Sequence, residues 1–106
     1  MSKYQEWQVW KDAVEVGVEV MRLALHEPLE IQVKQTAISI SCKIAEGATG
    51  DKLSYKGAKK ATARLETYLI LVDELNDDKE PKHKSLLSKL DGIHKQLSAL
   101  MRKVSY

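Results

Sequence analysis

The chain has 106 residues, 43% of them hydrophobic and 30% charged, a composition for one globular domain spanning 1–106 and not for a disordered tail. With no Phe and only two Trp, its core must be built from Leu, Ile, Val and Ala. Net charge is +2 but uneven: residues 1–51 hold 5 Lys/Arg against 8 Asp/Glu, a net −3, and residues 52–106 hold 12 against 7, a net +5; this is too weak to specify nucleic acid unaided, although it leaves an acidic partner for the second half open.

The first helix is expected over 4–26. Gln8, Lys11, Asp12, Glu15, Glu19, Arg22 and His26 form one polar stripe at helical spacing, covering only about 100° of the surface and leaving roughly 220° apolar. Two seams run within the apolar part. Trp7, Trp10, Val14, Gly17 and Met21 make one; Val9, Ala13, Val16, Val20 and Leu23 make the other. Two seams imply two neighbours, either two helices of one bundle or one helix and a second subunit. Gly17 lowers helix propensity by ~1 kcal/mol relative to Ala, so a close helix approach is expected there. Pro28 disfavours helical geometry at Glu27 and ends the element.

The second segment gives conflicting signals. Ile38-Ser39-Ile40-Ser41-Cys42-Lys43-Ile44 alternates like a strand. Val33, Ala37, Ile40 and Ile44 also recur at helical spacing, with Gln32, Gln35, Thr36, Ser39, Lys43 and Glu46 on the other face. A lone strand among helices has nothing to pair with, so a helix over 30–46 is predicted, with Gly47 as its C′ glycine. A third helix over 52–75 follows, with Ala58, Ala61, Leu65, Tyr68, Val72 and Leu75 inward and Lys52, Lys56, Lys59, Lys60 and Arg64 outward. After the polar break 76–81, a fourth over 82–104 repeats Leu86, Leu90, Ile93, Leu97, Leu100 and Val104 at heptad spacing. Four helices with short connections predict an all-α, up-down-up-down antiparallel four-helix bundle.

At Trp7-Gln8-Val9-Trp10-Lys11-Asp12-Ala13 and Ala37-Ile38-Ser39-Ile40…Ile44-Ala45-Glu46-Gly47, the chain resembles the bacterial four helix bundle protein family, often encoded in intervening sequences of 23S ribosomal RNA genes. The family's centre reads Ser-Ile-Pro-x-Asn-Ile-Ala-Glu-Gly, which Ser39, Ile40, Ile44, Ala45, Glu46 and Gly47 match; Leu65-Glu66-Thr67 matches its third-helix run. Ser41 and Lys43 stand where the family has Pro and Asn, the early basic pair is reduced to Lys34-Gln35, no Arg follows Gly47, and Arg64 replaces an acid. The likeness covers most of 4–75, and the last helix matches only in pattern. It implies a bundle assembling into a homo-oligomeric ring, a pentamer, as a scaffold or ribosomal-RNA-associated protein. The chain is also similar to accessory bundle proteins of diversity-generating retroelements, which implies an alternative: an RNA-binding accessory protein acting with a nucleic-acid enzyme such as a reverse transcriptase.

Candidate residues follow from both readings. Lys52, Lys56, Lys59, Lys60 and Arg64 make an i, i+4 basic stripe that could track phosphates or simply form a solvated helix face. Trp7, Trp10, Ser39, Glu46 and Gly47 are candidate assembly or signature positions. Trp7 and Trp10 suit packing better than base stacking. Glu46, an acid in a last helical turn, opposes the helix dipole and needs compensation: from Lys43, Lys52 or Lys56, from N–H groups at the start of the third helix, or from a ring of its copies around an oligomer axis. Cys42 is expected to be a buried small hydrophobe and cannot form an intrachain disulfide. His26, His83 and His94 lack metal-ligand spacing, and no phosphate loop, nucleophile elbow or HExxH pattern occurs. The expectation is a non-enzymatic protein with no cofactor or metal. The charge interrupting MSKYQEWQVWK argues against a signal peptide, and no apolar run approaches the ~20 residues of a membrane span. A cytoplasmic protein with no membrane partner is expected.

Overall fold

The computed structural model describes residues 3–25, 29–76 and 82–103. A 3-10 turn, Lys3–Glu6, precedes four helices: α1 Gln8–Met21, α2 Leu29–Ala48, α3 Leu53–Leu75 and α4 Lys84–Lys103. Each helix packs on the next and α4 closes back on α1, so the chain runs up-down-up-down as an all-α antiparallel bundle of 43 × 22 × 20 Å. Among the described residues there is no strand. The alternation around Ile40 yields to helix because Ile40 and Ile44 then enter the core while Ile38 and Cys42 point out.

The core takes Val9, Ala13, Val16 and Val20 from α1, Val33, Ala37, Ile40 and Ile44 from α2, Ala58, Leu65 and Leu69 from α3, and Leu86, Leu90, Ile93 and Leu97 from α4. Buried Thr62 satisfies its hydroxyl by donating to the Ala58 carbonyl at 2.8 Å, so it packs at little polar cost. The α1 seam through Val9 and Val20 is the buried one. The seam through Trp7, Trp10 and Val14 is half-covered and ends on Met21, 47% exposed.

Several expectations are corrected. The first helix does not run unbroken over 4–26: Trp7 is extended (φ −71°, ψ 133°), separating the 3-10 turn from α1. At its other end the Arg22 N–H is shared between the Val18 and Glu19 carbonyls, and the chain leaves the helix. Leu23 and Leu25 then pack on the core from a non-helical segment, so their burial does not require a longer helix. His26, Glu27 and Pro28 lie outside the described residues, as does Val104.

Gly47 does not stop α2. It is a buried residue inside the helix, and the stop is Gly50, at φ +131°. The Asp51 N–H bonds to the Glu46 carbonyl (3.2 Å) and the Gly50 N–H to the Gly47 carbonyl (3.3 Å), the two bonds of a Schellman cap with Gly50 at C′. Gly47 serves packing instead: a Cβ there would stand 2.5 Å from the ring of buried Tyr55 on α3. Cys42 is exposed, not buried, because its apolar sequence neighbours Ile40 and Ile44 face the opposite way. On α3, Leu69 joins the core while Tyr68 is half-buried and Leu75 is 64% exposed. A stripe spaced by 3.5 residues drifts around a 3.6-residue helix, so its last member leaves the core although Val72 before it stays buried.

Candidate nucleic-acid interface

The basic stripe is on the surface as a helix requires. Lys52 precedes α3 with helical backbone angles, and Lys56, Lys60 and Arg64 follow at four-residue steps, all exposed; Lys59 is half-buried beside them. The structure does not bring all five into one place. A groove of about 400 Å³ between α2 and α3 is lined by Gln35, Thr36, Ser39 and Lys43 from α2 and by Gly57, Lys60, Ala61 and Arg64 from α3. Lys60 and Arg64 therefore meet Ser39, predicted separately as a signature residue, and Lys43, which the stripe did not include. Lys52, Lys56 and Lys59 lie outside the groove.

No carboxylate lines this groove. Among the described residues, Lys43, Lys56, Lys59, Lys60 and Arg64 form no ion pair, so the face carries its positive charge uncompensated. Its polar lining offers Lys, Arg, amide and hydroxyl donors; Ser39 spends its proton on the Thr36 carbonyl (2.7 Å), leaving its oxygen as an acceptor. Such a surface attracts phosphates, and low-dielectric walls concentrate its field.

The opposite side of the bundle differs. Lys89 on α4 donates to Glu15 at 2.8 Å and to Glu19 on α1, and these two carboxylates hold its ammonium above the usual lysine range. Gln96 donates to Asp12 at 2.9 Å, and Gln8 to the same carboxylate at 2.7 Å. Asp12, Glu15 and Glu19 of the α1 polar stripe are thus partners for α4.

Of the other signature positions, Trp7 and Trp10 are half-buried and packed against the core, with Tyr4 edge-on to Trp10 at 5.7 Å and 68°. That geometry uses the rings for packing. The Glu46 side chain is exposed, and among the described residues it accepts no hydrogen bond: the partners expected for it do not meet it. Asp51 holds the start of α3 instead, accepting from the Ser54 hydroxyl at 3.0 Å and the Ser54 N–H at 2.9 Å.

Two features were not legible in the sequence. Asp73 and His83 form a buried pair, Oδ1 to Nδ1 at 2.7 Å, and the His83 N–H donates to the second Asp73 oxygen at 3.4 Å. Since the His83 carbonyl accepts from Leu87 (2.9 Å), Asp73 satisfies a backbone donor just before α4 and ties α3 to it. The second is an apolar groove of about 300 Å³ between α1 and α2, where Val18, Met21 and Ile38 stand 43–47% exposed. Burial pushes the Glu66 carboxyl up, against the pull of His94. Among the described residues no three His, Cys, Asp or Glu side chains gather as a metal site, and no helix is long and apolar enough to cross a membrane. No protein-family profile, curated protein or solved structure matches the chain.

Proposed function

We propose that this protein is a non-enzymatic bundle that associates with RNA through the α2–α3 face. The observation that carries the reading is the run of cations without an ion pair, Lys43, Lys56, Lys59, Lys60 and Arg64, clustered along α2 and α3 about a groove that no carboxylate lines. The resemblance to the 23S ribosomal RNA intervening-sequence bundles suggests ribosomal RNA as the substrate to try first. The test is a gel shift with ribosomal RNA fragments: binding that weakens steeply with salt and is lost in Lys56→Glu/Lys60→Glu/Arg64→Glu supports the reading, and binding indifferent to both contradicts it. An accessory role beside a nucleic-acid enzyme such as a reverse transcriptase would use the same face.

A second reading, self-assembly, is favoured by the apolar groove between α1 and α2. A homo-oligomer, a pentameric ring by the resemblance, would cover Val18, Met21 and Ile38 and leave the basic face outward. Light scattering of wild type and of Met21→Glu tests it: a multiple of the 12.0 kDa chain mass that collapses to one in the variant supports assembly.

A further inference from the structure

Gly57 lies inside α3, where glycine costs ~1 kcal/mol relative to Ala, and its backbone is not among the positive-φ positions that need glycine. Its reason is space. A Cβ at Gly57 would stand 3.2 Å from Lys43 Cδ and 3.4 Å from Lys43 Nζ. The Lys43 side chain therefore lies across α3 where a side chain of α3 would otherwise be, and it is half-buried there. Gly92 on α4 has nothing within 4 Å, so a filled glycine position is not a general property of these helices. Lys43 thus enters a groove already holding Lys60 and Arg64, with no acid in its lining. Three like charges sharing one small concavity repel one another, and an anion relieves that repulsion.

We propose that this groove is a discrete site for a compact, multiply charged phosphate, either a pyrophosphate group or a dianionic terminal phosphate, held by Lys43, Lys60 and Arg64 over the floor that Gly57 leaves open. A backbone phosphodiester delivers one charge per nucleotide. A monoester or pyrophosphate concentrates two or more charges in one group, as a groove lined by three cations favours. Gln35 and Thr36 supply further donors at the rim. The site shares all three of its cations with the RNA-binding face and rests on that reading only where the phosphate is the end of a strand; a free pyrophosphate ligand would stand without it.

The experiment is an amide-shift titration of the labelled protein with inorganic pyrophosphate, and in parallel with an RNA oligonucleotide bearing either a 5′-phosphate or a 5′-hydroxyl. Saturable shifts at Gly57, Lys60 and Ala61 are expected. Gly57→Gln, which fills the floor without changing charge, weakens pyrophosphate by about tenfold, as loss of a charge-assisted contact does. Lys43→Gln does the same, Lys56→Gln outside the groove does not, and thermal denaturation checks that each variant is folded. A preference for the 5′-phosphate identifies a strand end as the source; pyrophosphate binding without that preference identifies a free ligand. Unsaturated shifts spread along the whole stripe, or Gly57→Gln binding like wild type, overturns the proposal. RNA binding that survives this outcome leaves the RNA reading intact, whereas pyrophosphate binding with no RNA binding overturns that reading alone.

Discussion

The α1–α4 seam and the α2–α3 seam solve the same packing problem with opposite electrostatics. Along α1–α4, charges are met across the seam: Lys89 reaches two carboxylates, and Asp12 receives the Gln96 amide. Along α2–α3, the helices come close enough for Gly47 to lie against the Tyr55 ring and for Lys43 to cover Gly57, yet the cations at the rim have no counter-charge. A surface lysine can be compensated readily, as Lys34–Glu30 and Lys95–Asp91 demonstrate one turn apart on single helices. Five cations without an ion pair, gathered about one groove with no acid in its lining, are what set the α2–α3 face apart.

The largest effect on stability is expected at neither seam but at the joint between α3 and α4. Asp73→Ala strands His83 and the backbone donor before α4 in a buried place. Its expected cost is about 2 kcal/mol, or roughly 10 °C in Tm, and an unchanged Tm would show that the pair contributes nothing to the bundle. Gly47→Ala comes next. The added methyl meets a buried ring at 2.5 Å, so urea unfolding should show a loss of about 1–2 kcal/mol. Gly17→Ala is its contrast, since the nearest atom, the Ala37 carbonyl oxygen, is 3.7 Å away; a gain of up to ~1 kcal/mol is expected from helix propensity.

A pair of charge reversals addresses the comparison itself. Lys89→Glu places a third acid beside Glu15 and Glu19 and lowers Tm, an effect that shrinks in high salt. Lys60→Glu relieves repulsion in the groove and holds or raises Tm while weakening RNA, the exchange of stability for function expected at a binding face. Equal losses of Tm in the two variants would erase the distinction between the seams. The smallest effect belongs to Glu66. Its folded-state pKa is raised, chiefly by burial, so the stability associated with its protonated form is present at acid pH and lost as pH rises through that value. Glu66→Gln should therefore raise Tm modestly at pH 7, with the gain fading below the ordinary carboxylate range.

Much of the bundle was legible because apolar spacing reports burial directly: Val9 to Val20, Val33 to Ile44 and Leu86 to Leu97 are core as their periods require. The helix ends were less so. Gly47 and Gly50 are both plausible stops in sequence, and only the ring of Tyr55, eight residues past Gly47, shows why one is packing and the other is φ. Half of the groove was visible as a stripe at i, i+4 on α3. Lys43 was not joined to it, because contact between α2 and α3 is a tertiary fact that spacing on one helix does not encode. Gly57 was the available signal: a glycine inside a strongly periodic helix marks a place where something else comes close. Nothing in the spacing of Asp73 and His83 pointed to their pairing, since it depends on how the chain turns between α3 and α4.

The most direct test of the RNA binding proposed for the α2–α3 face is the salt dependence of RNA affinity in wild type and in Lys43→Gln/Lys60→Gln/Arg64→Gln. If these three side chains meet phosphates, the slope of log affinity against log salt falls by about 2 in magnitude, three contacts at ~0.7 each on a single strand. An unchanged slope, or an equal fall in Lys89→Gln on the opposite face, contradicts it.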